Sequence, residues 1–211
     1  MSLLQVKNLS KTYQYDDYAV LVDISFAVDA GEAVTLLMGQ NGGKTTLAKI
    51  LTGLEEKSTG EIIYRGAPIE ETSLKDRNVA FISVPSLYIK GKVKDNVAYG
   101  LRVRGVDKKT ALKQSHDALT CYGLESLADK KVKTLTTCQR AKLDFARAFS
   151  RKVSLLILDC CFGKCEETDD FLYNEITKKL SEKVAVLILT DDKKHAIGKT
   201  YDFLPVFEKE N

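Results

Sequence analysis

The 211-residue sequence lacks any apolar run long enough to cross a bilayer. Its start, Met1-Ser2-Leu3-Leu4-Gln5-Val6-Lys7, also lacks the charged stretch and apolar core of a secretory leader. A membrane-spanning or secreted chain is therefore not expected, and the protein is read as cytoplasmic. Nor does it have the cysteine usage of a disulfide framework. There are five cysteines, an odd number, with Cys160 and Cys161 adjacent, which fits a reducing compartment. An excess of one charge is missing too: the formal net charge is +3, and basic pairs such as Lys108 and Lys109 stand among acids. That excludes no soluble function but gives no reason to expect a nucleic-acid partner. The sequence shows no internal repeat and no low-complexity tract.

What is present is the 44% hydrophobic and 29% charged content of an ordinary soluble protein. The length suits one domain, or one domain with a lobe inserted. Apolar alternation and clustering predict strands over Leu4–Leu9, Val20–Val28, Ala33–Leu37, Glu61–Tyr64 and Val79–Ile82. Turns are expected at Tyr15-Asp16-Asp17, Asp29-Ala30-Gly31-Glu32 and Arg65-Gly66-Ala67-Pro68. Beyond Pro85 the spacing predicts helices over Lys94–Leu101, Lys108–Tyr122, Leu124–Lys130 and Gln139–Phe149. Strands return at Val153–Leu158 and Val184–Leu189 around a helix from Asp169 to Leu180, the alternation of a parallel sheet. The chain ends at Asn211, soon after the last expected strand, so no additional C-terminal domain is expected.

The most informative stretch joins the strand Ala33–Leu37 to a helix through Met38-Gly39-Gln40-Asn41-Gly42-Gly43-Lys44-Thr45-Thr46. Glycine-freed backbone N–H groups at a helix N-terminus can cradle a polyphosphate. Lys44 is then able to reach its terminal phosphates, and Thr45 can offer a hydroxyl to Mg²⁺. The phosphate-loop pattern needs four residues between its first Gly and the Gly-Lys pair, and Gly39 leaves only three before Gly43. Either a residue has been lost after Gly42, or Met38 stands where the first glycine belongs. The second reading keeps the distance from Gly31-Glu32 to Lys44 without a gap and is preferred. It puts Asn41 at a usual glycine position, and Asn tolerates left-handed backbone angles. A plain glycine-rich turn explains the glycines but not the Lys-Thr-Thr that follows a buried strand.

Four further segments, in order, resemble the nucleotide-binding domain of ATP-binding cassette (ABC) transporters, importer-like branch, over essentially the whole chain. Leu9-Ser10-Lys11-Thr12-Tyr13 resembles the opening segment, whose aromatic residue stacks on adenine. Asn96 to Gly105 resembles the helical lobe, Leu135-Thr136-Thr137-Cys138-Gln139-Arg140 lies at the signature motif, and Leu155-Leu156-Ile157-Leu158-Asp159 at Walker B. The resemblance implies an α/β phosphate-loop NTPase fold, mostly parallel, with a small antiparallel N-terminal portion. It implies a single domain over residues 1–211 with a helical subdomain inserted at 84–138. It also implies ATP or ADP with Mg²⁺ as ligands, held by Tyr13, Gly39, Gln40, Asn41, Gly42, Gly43, Lys44, Thr45 and Thr46, with Thr45 and Asp159 at the metal. Tyr13 packing against the sheet edge is the alternative to adenine stacking.

The chain departs from the family where the chemistry is done. Cys160 stands at the catalytic glutamate that polarises water, and a thiol with a reference pKa of about 8.5 is largely neutral at pH 7. Ser83 stands at the Mg²⁺-sensing glutamine and is too short to span the same gap. Asp191 stands at the histidine that contacts the γ-phosphate, which an ionised carboxylate repels. Thr136-Thr137-Cys138 replace the small signature residues, and their side chains are expected to crowd the phosphate's approach. Gly163-Lys164-Cys165-Glu166 replace the interface loop after Walker B.

A metal or redox site built from Cys138, Cys160, Cys161, Cys165 and His195 is the competing reading of the cysteines. Their spacing matches neither zinc nor iron–sulfur patterns, so buried inert thiols are preferred. His116 is expected at a helix surface. The resemblance thus implies a cytosolic ATP-binding subunit of a membrane transporter, peripheral on the inner face of the cell membrane. Nucleotide binding is retained and hydrolysis weak or lost, and the partners are transmembrane subunits and a homodimeric or heterodimeric ABC ATPase. A soluble pseudo-ATPase module, and a slow ATPase using Glu166 or Asp192 to orient water, are the alternatives.

Overall fold

The computed structural model describes residues 2–13, 18–74 and 76–203. The turn expected at Tyr15-Asp16-Asp17 lies outside the described residues. By internal contacts the chain divides into two compact units: residues 1–83, 154–160 and 176–211, and residues 84–153 and 161–175.

In the first unit, β1 (Ser2–Thr12) pairs antiparallel with β2 (Ala19–Asp29). Leu4, Val6 and Leu9 of β1 point into the core, while Asn8 breaks the register with φ 49°. Its amide donates to Asp23 Oδ1 at 2.6 Å, so the irregularity is held by a polar pair rather than by the ladder. β3 (Ala33–Met38) follows and leads into α1 (Lys44–Thr52), which buries Leu47, Ala48, Ile50 and Leu51. β4 (Thr59–Tyr64) and the two-residue β5 (Ala67–Pro68) complete an antiparallel sheet in the order β2-β1-β4-β5. β6 (Val79–Ser83) opens the second sheet.

The second unit is helical. It contains α2 (Val93–Arg102), α3 (Lys108–Cys121) and α4 (Thr137–Phe149). The carboxylate of Asp107 caps α3 by accepting the N–H groups of Lys109 and Thr110 at 3.0 and 3.1 Å. The helix expected over Leu124–Lys130 is instead a 3₁₀ turn at Glu125–Leu127. The segment closes with i→i+3 bonds, from the N–H groups of Leu127, Ala128 and Lys130 to the carbonyls of Leu124, Glu125 and Leu127 at 2.9, 3.1 and 2.9 Å. The carbonyls of Ala128 and Lys130 then accept the N–H groups of Lys94 and Val93 at the N-terminus of α2.

A buried carboxylate ties this unit together. Asp144, on α4 between Leu143 and Phe145, accepts from Ser86 Oγ at 2.5 Å, Tyr88 OH at 3.0 Å and Arg147 Nη1 at 3.2 Å. Burial holds its carboxyl above the usual range, with the bonds from Ser86, Arg147 and Tyr88 opposing. Asp144→Ala strands these donors and is expected to cost about 2–4 kcal/mol in denaturant unfolding. Asp144→Asn, whose amide oxygen still accepts the hydroxyls, should cost much less. Because the folded pKa is raised, the stability linked to this proton is full below the unfolded value of about 3.9 and is lost as pH rises through the folded one. Asp144→Asn should therefore flatten the pH dependence of unfolding just above that value.

The chain returns through β7 (Leu155–Asp159), α5 (Glu166–Ser181), β8 (Ala185–Thr190) and β9 (Lys199–Phe203). The second sheet of the first unit has the order β6-β7-β8-β3-β9, and all its pairings are parallel. Every residue of β7 and β8 is buried, as expected of strands covered on both faces. Among the described residues no helix is long and apolar enough to cross a membrane.

Candidate functional site

Parallel pairing brings the carboxyl ends of β3, β7 and β8 side by side, the position where open α/β sheets collect ligand chemistry. Asp159, the last residue of β7, is opposite Ser83 of β6 and Leu189 of β8 in the register. Met38 ends β3 and is buried, and residues 39–43 form the loop before α1. Asn41 adopts φ 58°, the left-handed angle an asparagine accepts. Gly43, with φ 80°, caps α1 so tightly that a Cβ would lie 2.5 Å from Leu21 Cδ2 and 2.8 Å from the Val20 carbonyl oxygen.

The loop's chemistry is gathered on α1. Lys44 is buried, and its ammonium donates to the carbonyls of Met38 at 3.0 Å and Gly39 at 2.7 Å. Asp191, just past β8, puts a carboxylate oxygen 3.8 Å from the same nitrogen. Thr45 donates its hydroxyl to Asp159 Oδ2 at 2.6 Å. An open cleft of about 470 Å³ is lined by Val20, Gln40 to Thr46, Cys160 and Asp191. Its size is that of a small-molecule site.

The residues fit a Mg²⁺–polyphosphate group in most respects. A hydroxyl and a carboxylate oxygen 2.6 Å apart are close to the spacing of about 2.9 Å between adjacent oxygens of an octahedral Mg²⁺ with bonds of 2.0–2.1 Å. The loop supplies backbone N–H groups at a helix N-terminus and one ammonium. The misfit is Asp191, a carboxylate at the terminal-phosphate end.

Tyr13 lies half-buried, with its hydroxyl 3.4 Å from Thr46 Oγ1 and the Lys11 ammonium 4.7 Å from its ring centroid. Lys11 itself is held by Glu55 at 2.7 Å. A cation beside the ring is a contact the sequence did not disclose, since Lys11 belongs to β1 while Tyr13 lies just past its end. Cys160, at φ 53°, donates its N–H to the Leu189 carbonyl at 3.1 Å. Burial, reinforced by the Asp159 carboxylate and opposed by Lys44, pushes its thiol up to about 11. It is a neutral S–H in the cleft. Among the described residues no group of three or more His, Cys, Asp or Glu is arranged to hold a metal ion.

In the helical unit, Thr136 caps α4. Its hydroxyl accepts the N–H of Gln139 at 3.2 Å, and the Gln139 side chain accepts that of Thr136 at 3.0 Å. Thr136 and Thr137 are exposed, but Cys138 is buried, with its sulfur 3.9 Å from the Glu167 carbonyl oxygen. The expectation that Cys138 crowds the outer approach is corrected: α4 turns that position inward, and only the threonines face solvent. Beyond β7, both carboxylate oxygens of Asp169 accept the Gly163 N–H, at 2.9 and 3.1 Å. His116 is exposed on α3.

Three comparisons bear on this arrangement. The sequence profile of the ABC transporter family matches residues 21–162. The sulfate/thiosulfate import ATP-binding protein CysA of Pseudomonas aeruginosa is 34% identical over 165 residues, 76% of this chain and 50% of that protein. The spermidine/putrescine import ATP-binding protein PotA of Spiroplasma citri is 35% identical over 159 residues, 75% of this chain and 45% of that protein. The chain thus spans about half the length of the curated relatives it matches. Among solved structures, CbiO1 from Clostridium perfringens, part of the ABC transporter complex CbiONQ, superposes with a TM-score of 0.74. That match covers 90% of this chain and 79% of CbiO1, and at 22% identity it speaks to the fold alone. Since the match, from within β2 to the residues just after Asp159, takes in more than half of the chain, the chain belongs to the ABC transporter family.

Proposed function

We propose that this chain is an ABC-type ATP-binding subunit of a membrane transporter that binds nucleotide but hydrolyses it weakly or not at all. The observation that carries the reading is a contrast within one cleft. Lys44 and the Thr45–Asp159 pair are set for a Mg²⁺-bound phosphate, whereas the position next to Asp159 holds a neutral thiol and Lys44 has a carboxylate, Asp191, for a neighbour. In this reading Tyr13 packs the adenine, residues 39–46 hold the phosphates, and Thr45 with Asp159 holds Mg²⁺. When bound, the ion neutralises phosphate charge. This chain's residues orient the nucleotide and supply no base: Cys160 keeps its proton, and Ser83 lacks the reach of a glutamine. Asp192 is a poor substitute base, because Lys194 engages its carboxylate at 2.7 Å.

The helical unit supports a membrane partner. Five of the nine exposed large apolar side chains among the described residues fall within one stretch: Val84, Leu87, Ile89, Tyr99 and Val103. Tyr99 lies on α2 and Val103 caps it one turn later, its N–H donating to the Tyr99 carbonyl at 3.1 Å, and Asn96 ties Ile89 to that helix through bonds of 2.9 and 3.2 Å. Apolar clustering of this kind marks interaction surfaces. The chain is expected to co-purify from membranes with a transmembrane subunit, as a peripheral protein of the cytoplasmic face. Leu87→Asp with Tyr99→Asp should lower the recovered fraction by roughly tenfold or more. Recovery of neither a membrane subunit nor a related ATPase counts against the assignment.

A further inference from the structure

Lys44 belongs to the loop position that reaches the last phosphates of a nucleotide. In this chain its ammonium already has a carboxylate oxygen at 3.8 Å, from Asp191. That carboxylate is neither buried nor tied off in another direction: 46% of the Asp191 side chain remains accessible, and it lines the same cleft as Gln40 to Thr46. The other ionised groups are few. Asp159, the other carboxylate of the site, is engaged by the Thr45 hydroxyl at 2.6 Å. Asp191 is thus the carboxylate that lines the cleft beside Lys44, so a phosphate entering there meets a negative group already set against the lysine.

We propose that Asp191 makes this cleft selective for nucleoside diphosphates over triphosphates. The inference rests on the nucleotide-binding reading above and deepens it. The carboxylate serves Lys44 as the counter-charge that a third phosphate otherwise provides, so a diphosphate fits beside it with Mg²⁺. A triphosphate brings a further negative group against Asp191 and competes with it for the same ammonium. The repulsion between two unit charges about 4 Å apart ranges from about fivefold in affinity, at the dielectric of water, to about a thousandfold near a protein surface. The exposure of Asp191 puts the effect near the lower end, at about tenfold.

The test is equilibrium dialysis of the full chain with labelled ADP and ATP, each at saturating Mg²⁺. ADP should bind about tenfold more tightly, and raising ionic strength should narrow the gap because the carboxylate is within reach of screening ions. Asp191→Asn should strengthen ATP binding by about tenfold and ADP binding by clearly less. Asp191→Ser, with its melting temperature compared to wild type, guards against a folding artefact in the first variant. Inorganic pyrophosphate should displace ADP better than tripolyphosphate does, which locates the preference in the phosphates. ATP binding as tightly as ADP in the wild type, or a gap unchanged in both variants, overturns the inference while leaving nucleotide binding intact. No binding of either nucleotide overturns both.

Discussion

Phosphate release by the purified chain at saturating Mg-ATP is expected to match that of Lys44→Ala within about twofold, and both should sit near the buffer rate. An in-place carboxylate base contributes typically a hundredfold to ten-thousandfold, and Cys160 supplies none of it. With a pKa of about 11, the thiol stays protonated at pH 7 and almost entirely so at pH 9. Raising the pH over that range should therefore not rescue turnover. The thiol also has a single heteroatom, so it cannot accept from a water and hold a second contact as a carboxylate does. Cys160→Glu combined with Asp191→His restores a base and removes the charge beside Lys44. That pair should lift phosphate release by tenfold or more over wild type. A wild-type rate a hundredfold above Lys44→Ala contradicts the reading of the cleft as a binding site without a base.

Melting experiments carry the second large effect. Mg-ADP at one hundred times its dissociation constant should stabilise the chain by about 2.7 kcal/mol, a shift of roughly 5–10 °C for a protein of this size. Lys44→Ala removes the ammonium held by the Met38 and Gly39 carbonyls and leaves Asp191 without that positive neighbour. Affinity should fall between tenfold and a hundredfold, as for other charge-assisted contacts. At the same ligand concentration the stabilisation then drops to between about 1.4 and 0.4 kcal/mol. An undiminished shift in Lys44→Ala means that nucleotide binds elsewhere, and no shift with either nucleotide in the wild type favours a scaffold without a ligand.

Much of the fold was legible because its signals are local. Val34, Leu36 and Leu37 ahead of Gly39, and Lys44 opening a helix, declare a strand, a turn and a helix with the periodicities of the backbone alone. The apolar runs of β7 and β8 announce buried parallel strands in the same way. β9 escaped notice: Lys-Thr-Tyr-Asp-Phe has no apolar run, and it is a strand because β3 offers it an edge. Glu125–Leu127 is a 3₁₀ turn and not part of a helix, because it closes with i→i+3 bonds, a difference that apolar spacing over so short a segment does not register. Two expectations meet at Cys138, a side chain crowding the signature position and a buried thiol, and the helical phase of α4 decides for the second by turning it inward with Leu143 and Phe145.

The candidate site divides along the same line. Sequence by itself determined the residue types at each position: the phosphate loop, Asp159 ending an apolar strand, and the losses at Ser83, Cys160 and Asp191. Order along the chain carries that information, since loop, strand and helix are short-range events. Tertiary structure alone decided what those residues do to one another. It set Asp191 against Lys44 across almost 150 positions, joined Thr45 to Asp159, slid Lys11 beneath Tyr13 and buried Asp144 among the hydroxyls of Ser86 and Tyr88. Electrostatic and hydrogen-bonding energies depend on distance in space and on solvent exposure, and neither is encoded in separation along the chain.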